Sequence, residues 1–226
     1  MHHFKKEKLV FQRKFSILDK KVNELHLLQV QNFSYSIGFK SILEKVNLKL
    51  SHKKRTALRG ENGAGKSTLL RCILQYAHYK DFIVWNKEIP VSQKTISYLG
   101  HELGLYNSLS LYENLKFFHS IAQSPISWNT IEKWVNNFQM QLRWDDPIYS
   151  LSRGMKQKVA LVRALIPNAS LLLLDEPFTG LDHKSNIEIR EILKSISEST
   201  SILAVIHEVE DDFWEETIHL QRPGGK

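Results

Sequence analysis

Cysteine is nearly absent from this 226-residue chain, where Cys72 stands alone. That excludes an internal disulfide framework and suits a reducing compartment. The thiol's surroundings, STLLRCILQY, have the spacing of an amphipathic helix, so Cys72 reads as a packed side chain. Long hydrophobic runs are also missing. No stretch of about 18 apolar residues occurs, so no segment of this sequence spans a membrane by itself. Internal repeats and low-complexity tracts are lacking. Excess basic charge is scarce outside one short region. Within residues 1–21, Lys5, Lys6, Lys8, Arg13, Lys14, Lys20 and Lys21 face only Glu7 and Asp19, which accounts for +5 of the net +7. The remaining chain is close to neutral, so no nucleic-acid partner is expected for the core.

Hydrophobic residues make up 42% of the sequence, enough for one α/β domain with a real core. Residues 1–25 read as a separate basic N-terminal extension. There Phe11, Phe15, Leu18, Val22 and Leu25 recur at the spacing of one helix face. Two readings stay open: a basic amphipathic helix resting on an anionic membrane or partner, and a frayed tail. A single domain is expected over 26–226. LLQVQNF (27–33) and KVNLKL (45–50) alternate like half-buried strands, with further strands near 54–59, 82–86 and 95–99. Residues 109–149 show helical spacing and no convincing strand, which predicts an inserted helical lobe over about 105–160. A helix (152–167), a strand of four leucines (171–174), a helix (183–197) and a strand (201–206) follow. This alternation predicts an α/β fold with a mostly parallel sheet covered on both faces.

Three stretches carry the chemistry. GENGAGKST, residues 60–68, fits the phosphate-binding pattern G-x-x-x-x-G-K-[ST] and falls between a strand and a helix. Gly60, Glu61, Asn62, Gly63, Ala64 and Gly65 form a loop whose N–H groups can wrap phosphates at a helix N-terminus. Lys66 adds a point charge for the β- and γ-phosphates, Ser67 a hydroxyl for Mg²⁺, and Thr68 a second hydroxyl. LLLLDEP, residues 171–177, puts Asp175 at the C-terminal end of a buried strand, where ligands of open α/β sheets bind. Asp175 is the natural Mg²⁺ partner. Glu176, one residue on, is a candidate general base for the water that attacks the γ-phosphate.

The third stretch is LSRGMKQKVALVRAL, residues 151–165. With the other two it resembles the signature region of ATP-binding-cassette (ABC) ATPases. The resemblance covers roughly residues 27–220. It implies a P-loop fold, ATP and Mg²⁺ as ligands, and ATP hydrolysis coupled to transport. It also implies a second ATPase subunit, with a homodimer expected, and membrane-spanning transporter subunits. The protein would then sit peripherally on the cytoplasmic face of a membrane, or on an organelle's matrix face. Ser152 and Gly154 keep the positions that, in this family, bind the γ-phosphate held by the other subunit. Arg153 and Met155 depart from the commonest form, LSGGQ. FTGLD (178–182) resembles the family's D-loop, with Asp182 as its acidic residue. AVIHE (204–208) places His207 where the family has its histidine switch.

His101, in ISYLGHELGLYNSLSLYENL, stands where the family has a glutamine that meets Mg²⁺ and the attacking water. It can hydrogen-bond through either ring nitrogen but cannot copy an amide. Two readings stay open: a glutamine substitute in a loop that touches the membrane partner, and an exposed loop residue. Gly100, His101, Gly104, Leu105 and Glu113-Asn114-Leu115 also match in order the branch that exports haem for cytochrome c maturation. Drug and lipid exporter ATPases share E-N-L, so they remain an alternative, as does a soluble ABC ATPase without a membrane partner. By spacing, the aromatic residue on which the family stacks adenine falls at Ile37. Either Tyr35 serves instead or adenine contact is weak.

Overall fold

The computed structural model describes residues 26–207 and 211–224. The readings made for residues 1–25 lie outside the described residues. Five strands form a wholly parallel sheet: β3 (Arg55–Arg59), β5 (Ile96–Leu99), β6 (Leu171–Asp175), β7 (Ser201–Val205) and β8 (Glu216–His219). Their order is β5-β6-β7-β3-β8. β6 registers Leu173 against Leu203 of β7 and Tyr98 of β5.

β6 shows why a run of four leucines makes a strand here. Leu172 and Leu174 belong to the core on one face of the sheet, Leu171 and Leu173 to the core on the other. All four are at most 1% exposed. A strand covered on both faces has no polar side, so it loses the alternation of a half-wet strand. Truncating any of these leucines to alanine costs about 2–5 kcal/mol.

The antiparallel element was not foreseen as a separate layer. β1 (His26–Ile37), β2 (Lys40–Ser51) and β4 (Ile83–Trp85) make their own three-stranded sheet, in the order β2-β1-β4. In β2 the buried residues Leu43, Val46, Leu48 and Leu50 alternate in part with exposed ones. Such a sheet can keep one face wet, which a two-sided parallel sheet cannot. β8 was also missed, because ETIH is four residues long with no fully buried side chain.

Five α-helices are described: α1 (Lys66–Leu74), α2 (Leu111–Ile121), α3 (Trp128–Asn137), α4 (Arg153–Leu165) and α5 (His183–Ile196). α1 packs in the core shared with the antiparallel sheet, while α2 to α5 pack on the opposite face. α2 begins with a capping box: Ser110 Oγ accepts from Glu113 N at 3.1 Å, and Glu113 Oε2 accepts from Ser110 N at 2.8 Å. Asn114, fully buried, clamps the preceding loop. Its Oδ1 accepts from Tyr106 N at 2.8 Å, and its amide donates to the carbonyls of Tyr106 and Ser110 at 3.0 and 2.9 Å. E-N-L thus has a local rationale: Glu113 caps, Asn114 ties the loop, and Leu115 fills the core.

Candidate functional site

The loop of residues 60–65 joins β3 to α1, and two of its glycines are dictated by close approach. Gly60 has φ +149°, and a Cβ there would lie 2.4 Å from the Leu220 carbonyl oxygen. Gly65 has φ +92°, and its Cβ would lie 2.7 Å from the Ile42 oxygen and Leu43 Cδ2. Gly65 also caps α1 with no side chain over the helix end, so the first-turn N–H groups stay open toward a ligand.

Lys66 is 6% exposed. Its Nζ donates to the carbonyl oxygens of Gly60 and Glu61 at 2.7 and 3.0 Å. Burial pulls its ammonium below the ordinary lysine value, while Glu176 and Asp175 push the other way. Ser67 Oγ donates to Asp175 Oδ1 at 2.9 Å, so the phosphate loop and the end of β6 meet at this pair. Tyr98 Oη donates to the other oxygen of Asp175, Oδ2, at 3.3 Å. Burial first, and then the Asp175 charge, raise the Tyr98 phenol above its usual value.

Glu176 follows with φ +55°, a left-handed conformation uncommon outside glycine and found at strained functional positions. Both its carboxylate oxygens are engaged: Oε1 lies 2.9 Å from His207 Nε2, and Oε2 accepts from Thr179 Oγ1 at 3.2 Å. A cavity of about 490 Å³ lies here, lined by Gly63, Gly65, Lys66, Ser67, Glu176 and His207, with Asn62 and Thr68 alongside. Lys40, Ser41, Ile42, Arg222 and Pro223 line it as well. Arg222 and Pro223 carried no signal in the sequence, because β8 alone brings them back to the loop. Ala64, within the loop, is fully buried.

A second cavity, of about 320 Å³, brings His101 and Gly100 together with Asp175, Glu176, Arg153 and Gln157. His101 is exposed and shares this cavity with the two carboxylates. Among the described residues, no group of three or more His, Cys, Asp or Glu could hold a metal ion.

Tyr35 is not brought to the site. Its ring packs edge-on against Tyr79, at 6.3 Å between centroids, in the core that also holds Phe33. Phe33, two positions earlier on the same strand, meets that same Tyr79 ring. Ile37 and Phe39 instead stand exposed where β1 turns into β2.

Ser152 caps α4, its Oγ accepting from Met155 N at 3.3 Å. Gly154 lies beside Leu181, and Arg153 beside Gly180. Asp182 caps α5, with Oδ1 accepting from Ser185 N at 2.8 Å and Oδ2 from its hydroxyl at 3.0 Å. Those two bonds hold the Asp182 carboxyl below its ordinary value. Ser152, Gly154 and Asp182 are not among the residues lining this chain's own phosphate cavity.

A parallel sheet with a phosphate loop at α1 and two carboxylates at the end of β6 defines a P-loop nucleotide-binding subunit. Residues 43–179 match the family model for ABC transporters, and the chain belongs to that family. It is an ATP-binding subunit of an ABC transporter and, as an enzyme, of the ATP-hydrolysing class. Subunits of this kind work with membrane transporter components. No helix among the described residues is long and apolar enough to cross a membrane.

Similar proteins carry different cargo names. A lantibiotic transport ATP-binding protein of Streptococcus pyogenes is 32% identical over 185 residues, 80% of each chain. An Fe(3+) ion import ATP-binding protein of Haemophilus influenzae is 32% identical over 80% of this chain and 56% of that protein. A cytochrome c biogenesis ATP-binding export protein of Vibrio parahaemolyticus is 30% identical over 74% of this chain and 84% of its own. Among solved structures, an ATP-binding subunit of an ABC transporter superposes with a TM-score of 0.71, at 25% identity, over 86% of this chain and 85% of that one.

Proposed function

We propose that this chain hydrolyses ATP in a two-subunit sandwich that powers an exporter, with the haem exporter of cytochrome c maturation as the favoured assignment. The observation that carries the chemistry is the convergence of Lys66, Ser67, Glu176 and His207 on one cavity, with Asp175 bonded to Ser67 at its edge. Residues 60–68 cradle the phosphates, and Lys66 turns from the loop carbonyls to the β- and γ-phosphates. Hydroxyl and carboxylate oxygens are the hard donors that Mg²⁺ takes, so Ser67 and Asp175 fit that ion. When bound, it neutralises charge on the phosphate oxygens. Glu176 accepts a proton from the attacking water, and His207 orients the carboxylate and reaches the γ-phosphate.

Ser152 and Gly154, at the N-terminus of α4, engage the nucleotide of a second copy. Their position away from this chain's own phosphate cavity supports that reading. ATP then favours the closed pair, and hydrolysis removes the bond donor-acceptor set that held it. Residues 26–226 act as one domain, with the segment of about 105–160 as its helical lobe, and the loop around His101 passes closure to membrane-spanning partners. The protein is peripheral on the cytoplasmic face of the membrane, or its organelle equivalent.

The ordered match of Gly100-His101, Gly104-Leu105 and Glu113-Asn114-Leu115 supports the haem-exporter branch, as does the Vibrio parahaemolyticus relative. The Streptococcus pyogenes relative favours a second reading, an exporter of peptides, drugs or lipids. Purifying the Glu176→Gln protein from its own host in mild detergent with ATP, then identifying companions by mass spectrometry, separates them. Polytopic partners with haem-handling proteins support the first reading. A single large permease supports the second, and soluble companions alone remove the transport assignment.

A further inference from the structure

Tyr98 reaches the site from β5, the strand beside β6. Its hydroxyl points at Asp175 Oδ2, 3.3 Å away, while Ser67 holds Oδ1. A carboxylate only accepts, so the phenol is the donor. Tyr98 is itself held at both ends. Its main-chain oxygen accepts from Arg163 Nη2 at 2.9 Å, and the Arg71 side chain bonds its hydroxyl. The ring lies over Gly100, two residues along the chain and on the same side. A Cβ at Gly100 would stand 2.6 Å from both Cε1 and Oη of Tyr98. Gly100 is not among the residues with positive φ, so its backbone does not call for glycine. What calls for it is the tyrosine ring.

We propose that Tyr98 is a positioning residue that fixes the orientation of Asp175 for the nucleotide-bound divalent cation, and that Gly100 is glycine to let it do so. This inference rests on the reading of Ser67 and Asp175 as the cation's ligands. With Oδ1 and Oδ2 each bonded, the carboxylate has one orientation before the cation arrives, so less freedom is lost on binding. Without the hydroxyl, the side chain is left with Ser67 alone.

The test measures Mn²⁺ affinity by electron paramagnetic resonance on full-length protein carrying Glu176→Gln, with ATP present and hydrolysis blocked. Metal-free ATP affinity is measured beside it, in chelator. Tyr98→Phe keeps the ring and removes the hydroxyl. The expected result is a fall of about three- to tenfold in Mn²⁺ affinity, with metal-free ATP affinity held within about twofold. Gly100→Ala should give a similar fall by displacing the ring. Together the two should lose no more than the larger alone, since the same bond is broken. Asp175→Asn tests the underlying reading. If it lowers Mn²⁺ affinity strongly while Tyr98→Phe does nothing, the positioning role is wrong and the cation site stands. If Asp175→Asn leaves Mn²⁺ affinity unchanged, the cation site itself is wrong and the role of Tyr98 goes with it. Equal losses with and without metal in both Tyr98→Phe and Gly100→Ala would make Tyr98 a general structural residue and overturn the proposal.

Discussion

His207 Nε2 and Glu176 Oε1 lie 2.9 Å apart, joining the ends of the adjacent parallel strands β7 and β6. The pair exists only because Asp175 registers with Val205, which sets the residues just beyond each strand side by side. Glu176 is therefore held by its neighbour strand as well as by its own turn. Glu176→Gln should keep nucleotide binding and lower steady-state hydrolysis by about 10²–10⁴-fold. On size exclusion with saturating ATP and Mg²⁺ it should elute as a dimer. A monomer there, and also beside its membrane partners, would sink the sandwich. His207→Ala should lower kcat more than it raises KM.

Lys66→Ala should weaken ATP binding by at least about 30-fold, the scale for removing one partner of a buried charge-assisted contact. Fluorescent-nucleotide titration and a phosphate-release assay read it directly. Undiminished turnover would overturn the phosphate-site assignment.

Asn114→Ala should destabilise by about 2–3 kcal/mol, because the fully buried amide that ties the loop is lost and Tyr106 N–H loses its acceptor. For a chain of this size that is a fall in melting temperature of about 5–10 °C. Nucleotide affinity should change little, since Asn114 is not among the residues lining the phosphate cavity.

Cys72 supplies the pH-dependent case. Burial raises its thiol from 9.0 to about 11, only partly offset by a bond with Tyr79. The folded state therefore holds this proton more tightly than the unfolded one. Its stabilising contribution is full below pH 9.0 and is lost as pH rises toward about 11. At pH 8 the native thiol should be alkylated about 100-fold more slowly than the unfolded one, from its smaller thiolate fraction. Equal rates in buffer and in urea would show that the thiol is not packed as described.

Much of the site was legible because its residues are contiguous. Residues 60–68 are a nine-residue stretch whose geometry is local, and Asp175 and Glu176 end a strand marked by four leucines. Tyr98 and Arg222 were not legible. Each reaches the site through a strand neighbour, and neither YLG nor QRPGG names that neighbour. Tyr35 was legible only as one of two readings, because spacing gives a position along a strand and not the face it presents. Its partner Tyr79 lies 44 residues away in the sequence.

By itself, the sequence determined the phosphate loop, the buried central strand, the capped helices and the class of chemistry. All of these depend on short-range spacing, chain stiffness and hydrophobic pattern. Only the tertiary structure decided that three strands would leave to form an antiparallel layer and that His101 would share a cavity with the β6 carboxylates. It also decided that Tyr98 and Ser67 would share the two oxygens of Asp175. Those outcomes depend on strand order and register, which follow from packing both faces of the sheet at once and are written in no single segment.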